Sequence, residues 1–140
     1  MADYSEHFGK VYFDAAFRFQ DGTIGEKRFV VICASPEFEL KVVVLRTTSQ
    51  NKGGKSYGCN LDDRFQNFYL PPESGVFSLQ TWIMLDYATE YFVNRLGTGR
   101  ANYKNKLGPI AFKDLLECVA RARDIELDIR SEANMLARSL

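Results

Sequence analysis

"KRFVVICASPEFELKVVVLRTTSQNKGG", residues 27–54, holds the reading on which the fold turns. Residues 27–34 and 38–46 are apolar runs, too short and too rich in β-branched side chains for helices, so they predict two central strands. The Ser-Pro-Glu turn between them makes an antiparallel pair. The stretch then turns polar and reaches Gly53-Gly54-Lys55-Ser56, which invites a phosphate-loop reading. That motif needs a glycine five positions before its Gly-Lys-Ser core and must open a helix. Ser49 stands at the glycine position, and residues 57–65 carry no helical stripe, so a Lys/Gly-rich loop between strands is the simpler reading.

Working outward, residues 10–19, "KVYFDAAFRF", read as a strand feeding an Asp-Gly turn. Residues 47–67 form a polar, Gly-bearing connection, long enough to suggest a functional loop. Residues 66–70 predict a short strand, 71–77 a proline turn, and 78–86 and 89–96 two further strands. After the Gly-rich "LGTGR" the period changes. Pro109 suits a first helical turn, and Phe112, Leu115, Leu116 and Val119 share one face. Ile129, Ala133, Leu136 and Leu140 give a second amphipathic helix. Strands followed by helices mean α+β, and five or six short antiparallel strands suggest a small closed barrel with C-terminal helices. Residues 1–140 are read as one domain, with 109–140 its helical part.

The 140 residues suffice for a core without metal or disulfide. Lys and Arg total 18 and Asp and Glu 18, so the formal net charge is zero, and any contact with nucleic acid must come from a local patch. The three cysteines lack Cys-x-x-Cys spacing. Their odd number points to a reducing compartment, with Cys33 and Cys118 as small core residues. No run reaches membrane-spanning length and the opening residues carry no apolar signal region, so the expected location is cytoplasmic, with no membrane contact.

Chemistry-bearing residues are few. His7, the one histidine, sits near the start without triad or metal-ligand spacing. Asp62 and Asp63 are adjacent, which in extended chain points them apart, as in a solvated turn. Tyr57, Phe65, Phe68 and Tyr69 are stacking surfaces for unpaired bases or core aromatics. What remains is Arg28 at the start of one central strand and Thr47, Thr48 and Ser49 at the end of the next. Pairing would bring them to one end of the sheet, where a guanidinium beside hydroxyls suits a phosphate. The plainer alternative is a surface cation beside hydroxyls that cap a strand.

The order "GKVYFDAAFRFQDG", "EKRFVVICAS", "KVVVLRTTSQNKGG", "FQNFYLPPESGVFSLQTWIMLDY", "LGPIAFKDLLECVARA" resembles, over most of the chain, the MazF/PemK/Kid family of bacterial toxins. The resemblance implies an SH3-like barrel, a homodimer, and sequence-specific endoribonuclease activity on single-stranded RNA, without metal or other cofactor. It implies Arg28 and Thr48 as catalytic residues, with Lys27, Thr47, Ser49, Gln50 and Lys52 contacting substrate. It further implies a 2′-hydroxyl attack leaving a cyclic phosphate, a loop over 19–27 that closes on substrate, and a cognate antitoxin. Non-nucleolytic relatives of the fold act as protein-binding modules or gyrase-directed poisons. This sequence departs from the family pattern at Lys10, at Arg46 and at Phe29, where the family has proline.

Overall fold

The computed structural model of the chain describes residues 3–74 and 76–140. Met1, Ala2 and Gly75 lie outside the described residues, and with them part of the opening stretch and of the 71–77 turn. Seven strands, β1 (Lys10–Arg18), β2 (Ile24–Ala34), β3 (Lys41–Thr48), β4 (Gly58–Asn60), β5 (Asn67–Leu70), β6 (Thr81–Phe92) and β7 (Ala101–Lys106), precede helices α1 (Pro109–Val119) and α2 (Leu127–Arg138). One sheet has the order β4-β5-β6-β3-β2-β1-β7, and its neighbours pair antiparallel. The fold is α+β. No helix among the described residues is long and apolar enough to cross a membrane.

β2 and β3 lie at the centre because both their faces are apolar. Val30, Ile32, Val43 and Leu45 face the larger core, which Phe68, Leu70, Ile83 and Leu85 extend and α1 and α2 cover. Phe29, Val31, Val42 and Val44 face a second cluster with Tyr12, Phe17 and Tyr91. Alternation therefore buries residues 29–33 of β2 and 42–45 of β3 in turn, and these stretches read as unbroken apolar runs.

The expected closure of the sheet is not what the described residues display: β4 and β7 end the sheet and do not pair with each other. The sheet curls without closing. β1 and β6 are separated by two strands, yet the Phe17 and Tyr91 rings stack with centroids 6.2 Å apart. Asp14, fully buried on β1, accepts a 2.6 Å hydrogen bond from the Tyr91 hydroxyl. It also accepts from the Ala16 amide at 2.7 Å and from the Arg100 guanidinium at 3.2 Å. A buried carboxylate is tolerated only when so surrounded by donors. Burial, then this hydrogen bond to the carboxylate, pushes the Tyr91 phenol above its ordinary range.

Several expectations shift. The segments 78–86 and 89–96 supply one long strand, β6, ending in a 3-10 turn at Val93–Arg95. β7 was hidden in "ANYKNK", which carries little apolar signal because only Ala101 of it is buried. β4 lies inside the supposed 47–67 loop. The 19–27 flap is instead a tight turn: β2 begins at Ile24, Phe19 N donates to Thr23 O at 2.8 Å, and Asp21 caps Thr23. In α2, Ile129, Ala133 and Ala137 carry the buried stripe, while Leu140 lies past the helix and is exposed.

Cys118 is not a free thiol. It is bonded to Cys59, stapling α1 to β4, and only Cys33 is free. The two cysteines are 59 residues apart in the chain, so spacing alone gave no hint of the pair.

Replacing Asp14 by Ala leaves the Tyr91 hydroxyl without its acceptor and Arg100 without its counter-charge, and is expected to cost about 3 kcal/mol. Tyr91→Phe, which keeps the ring, is expected to cost about 1 kcal/mol. Urea unfolding of both variants measures the difference. Reducing Cys59–Cys118 removes a long loop constraint from the unfolded chain and is expected to lower stability by about 2–4 kcal/mol, read as a lower urea midpoint in dithiothreitol.

Candidate functional site

The end of the central pair where β2 starts and β3 finishes forms a polar rim over two adjoining cavities. Phe29 pairs with Arg46. Carried onward, that register sets Arg28 against Thr47 and Lys27 against Thr48. Side chains alternate along a strand, so Arg28 and Thr47 share one face of the pair, and Lys27, Arg46 and Thr48 share the other.

The larger cavity, about 320 Å³, is lined by Arg28, Thr47, Ser49, Phe13, Phe77 and Leu79 among others. The smaller, about 170 Å³, is lined by Arg46, Lys52, Phe65, Met84 and Asp86. Lys27, Thr48 and Gln50 line both. All seven expected site residues therefore meet at this rim. The expected partnership of Arg28 with Thr48 takes a different form: across the ladder Arg28 faces Thr47, and Thr48 belongs with Lys27.

The two threonines differ in what they can do. Thr47 is 5% exposed, and its hydroxyl donates to the Arg28 carbonyl at 3.3 Å. It fixes the backbone that presents the guanidinium. Thr48 is half-buried and its hydroxyl accepts from the Gln50 amide at 3.1 Å, which leaves its proton available to a ligand. Ser49, Gln50 and Arg28 are exposed.

Cations crowd the smaller cavity. Burial, then the neighbouring charges of Arg46 and Lys52, lower the Lys27 pKa below the usual lysine range. Lys52 Nζ stands 5.5 Å from the centre of the Phe65 ring, a cation–π distance. Arg46 Nη2 donates to Asp86 at 3.2 Å. Asp86 is the one carboxylate among the described residues that line this cavity. Like charges held together at a partly dry rim are relieved by an anion.

The Gly-Gly-Lys stretch is not a phosphate nest. The Gly54 amide donates to Asp63 at 2.9 Å, the Gly54 carbonyl accepts from the Trp82 indole at 3.1 Å, and a strand rather than a helix follows. Asp63 is half-buried and also accepts from the Asn67 side-chain amide at 3.0 Å, so it does more than sit in a solvated turn. Its role is to pin the loop that carries Lys52.

His7 is held by the Tyr12 hydroxyl at 2.7 Å and lines neither cavity; burial lowers its pKa. Of the four candidate stacking rings, Phe68 and Tyr69 are buried. Tyr57 is exposed, with its hydroxyl donating to Asp114 of α1, and Phe65 alone reaches a cavity. Arg46 and Asp86 were not singled out as site residues. The alternation that groups Arg46 with Lys27 could have found the first. Asp86 lies opposite an irregularity in the β3–β6 ladder, where Leu45 pairs with Ala88 but Thr47 with Ile83, so no regular register points to it. In comparisons with protein-family models and with curated proteins, nothing matches this chain.

Proposed function

We propose that this chain is an endoribonuclease that cuts single-stranded RNA at short sequences without metal or other cofactor, as the toxin of a bacterial toxin–antitoxin pair. The observation that carries the reading is the gathering of Lys27, Arg28, Arg46 and Lys52 with the Thr48 hydroxyl around two adjoining cavities, in a chain of zero net charge. A neutral protein that concentrates cations, a hydroxyl and an exposed ring at one rim has the equipment to hold a phosphodiester and an unstacked base. The resemblance to the MazF/PemK/Kid family points the same way, and to a homodimer. RNA as substrate implies work in the cytoplasm, and the Cys59–Cys118 bond runs against that, since a reducing compartment keeps most thiols free.

In this reading the scissile phosphate sits where the cavities join. The ribose 2′-hydroxyl attacks phosphorus, the bond to the 5′-oxygen breaks, and the proton lost by the nucleophile is balanced by the one gained at the leaving 5′-hydroxyl. The products are a 2′,3′-cyclic phosphate and a 5′-hydroxyl end. Arg28 stabilises the charge that builds on the non-bridging oxygens, and Thr48 donates to one of them. Thr47 positions Arg28, while Lys27, Ser49, Gln50 and Lys52 hold the flanking backbone.

The register favours a second reading as well. Carried past its last pair, the register puts the Arg28 and Thr48 side chains on opposite faces of the ladder although both line the larger cavity, an arrangement that also suits a non-nucleolytic module gripping RNA or protein, including a gyrase-directed poison. Incubation with a long single-stranded RNA in EDTA separates the two. Fragments ending in cyclic phosphate support cleavage, and intact RNA beside inhibited gyrase supports the poison. Arg28→Ala is expected to lower the cleavage rate at least roughly 100-fold with an unchanged circular dichroism spectrum. Undiminished cutting by that variant removes Arg28 from the mechanism.

A further inference from the structure

Two features of the smaller cavity go beyond a phosphate grip: a carboxylate among the cations, and an exposed ring at the edge. The cavity's volume of about 170 Å³ is below the range of ordinary small-molecule sites and suits a single ring system. Phe65, 41% exposed, offers the face on which an unstacked base lies.

Asp86 lines the same cavity. Arg46 approaches it through Nη2, at 3.2 Å from one carboxylate oxygen and 3.4 Å from the other. Each oxygen keeps a further lone pair for a ligand. The pair is incompletely buried, with Asp86 37% exposed at its side chain, so the carboxylate can be reached. The remaining guanidinium groups of Arg46 make no hydrogen bond among the described residues, and Nε is buried without a partner. Arg46 thus serves to aim Asp86, while Thr48 and Gln50 supply single polar contacts at the rim.

A carboxylate reading the edge of a base selects strongly. Guanine presents two adjacent donors, N1–H and the N2 amine, which match the two carboxylate oxygens. Adenine and cytosine present an amine beside an acceptor, and uracil a single N–H between two acceptors, so each leaves one carboxylate oxygen facing an acceptor. We propose that the smaller cavity is a guanine pocket, stacking the base on Phe65 and reading its Watson–Crick edge with Asp86, for the nucleotide next to the phosphate held at the cavity junction. This rests on the reading of the rim as an RNA site. It names which base the site accepts.

The test uses 2′-O-methyl hexanucleotides, which bind but cannot be cut: a uridine hexamer and three variants carrying one central G, A or C. Fluorescence anisotropy is expected to give the G-containing hexamer roughly tenfold tighter binding than the other three. Asp86→Asn, close in shape, is expected to erase that preference. Phe65→Ala is expected to weaken all four hexamers while keeping their order. Guanosine monophosphate is expected to displace the G-containing hexamer, whereas inorganic phosphate at the same concentration does not.

Equal binding of the four hexamers, or no binding of any, overturns the pocket, as does displacement by phosphate matching that by the nucleotide, which would make the cavity an anion site. A G preference that survives Asp86→Asn also overturns it. The nuclease reading fails separately: a G preference with intact unmodified RNA leaves the pocket standing without cleavage, and cleavage with indifferent hexamers does the reverse.

Discussion

The hydrogen-bonded ladder between β2 and β3, fixed by the pairing of Phe29 with Arg46, is the constraint on which the rest of the molecule depends. Both strands bury alternate side chains in two different cores, so slipping the ladder by one residue would present every one of them to the wrong surroundings. Each large apolar side chain so displaced would forfeit roughly 1.5–3 kcal/mol of burial, more than the whole domain can spare after a few such losses. The same register decides which polar side chains meet at the rim. Function is in this sense read out from packing: Arg28 and Lys27 take their places because Val30 and Val31 already have theirs.

The central strands and α1 were legible because their signals are local: apolar runs of strand length for β2 and β3, and a helical stripe opened by Pro109. The edges were not. β7 is mostly exposed and exists because β1 offers it a ladder partner, and β4 is three residues long and sits on β5. Neither has a pattern of its own to announce it. The curl of the sheet brings together Asp14 and Tyr91, 77 positions apart in the chain. The Cys59–Cys118 bond is of the same kind. Long-range pairs chosen by tertiary geometry leave no mark in a window of neighbouring residues.

At the rim, the seven residues expected there line the two cavities, in a different grouping from the one expected. The expectation joined Arg28 to Thr48 because both lie at strand ends, but alternation hands Thr47 to Arg28 and gives Thr48 to Lys27. Thr47 lines the larger cavity while its hydroxyl donates to the Arg28 carbonyl. Arg46 counted as a departure from a pattern, yet it aligns Asp86 at the smaller cavity. Phe65 could not be told from Phe68 by residue type, because their difference is burial, 41% exposed against none.

A sheet that stops without closing keeps two rows of unsatisfied amides and carbonyls, a standing invitation to another chain's backbone. This molecule blunts both. On one side the border strand is only three residues long and is stapled to α1 through Cys59, giving an intruder little to line up with. On the other, Tyr103, Lys104 and Lys106 stand exposed along β7, and two ammonium groups spaced two residues apart would be forced against their own copies in any self-matching continuation of the sheet. Copies of this chain that associate must therefore meet through side-chain surfaces, leaving strand-to-strand growth into fibres disfavoured from both borders.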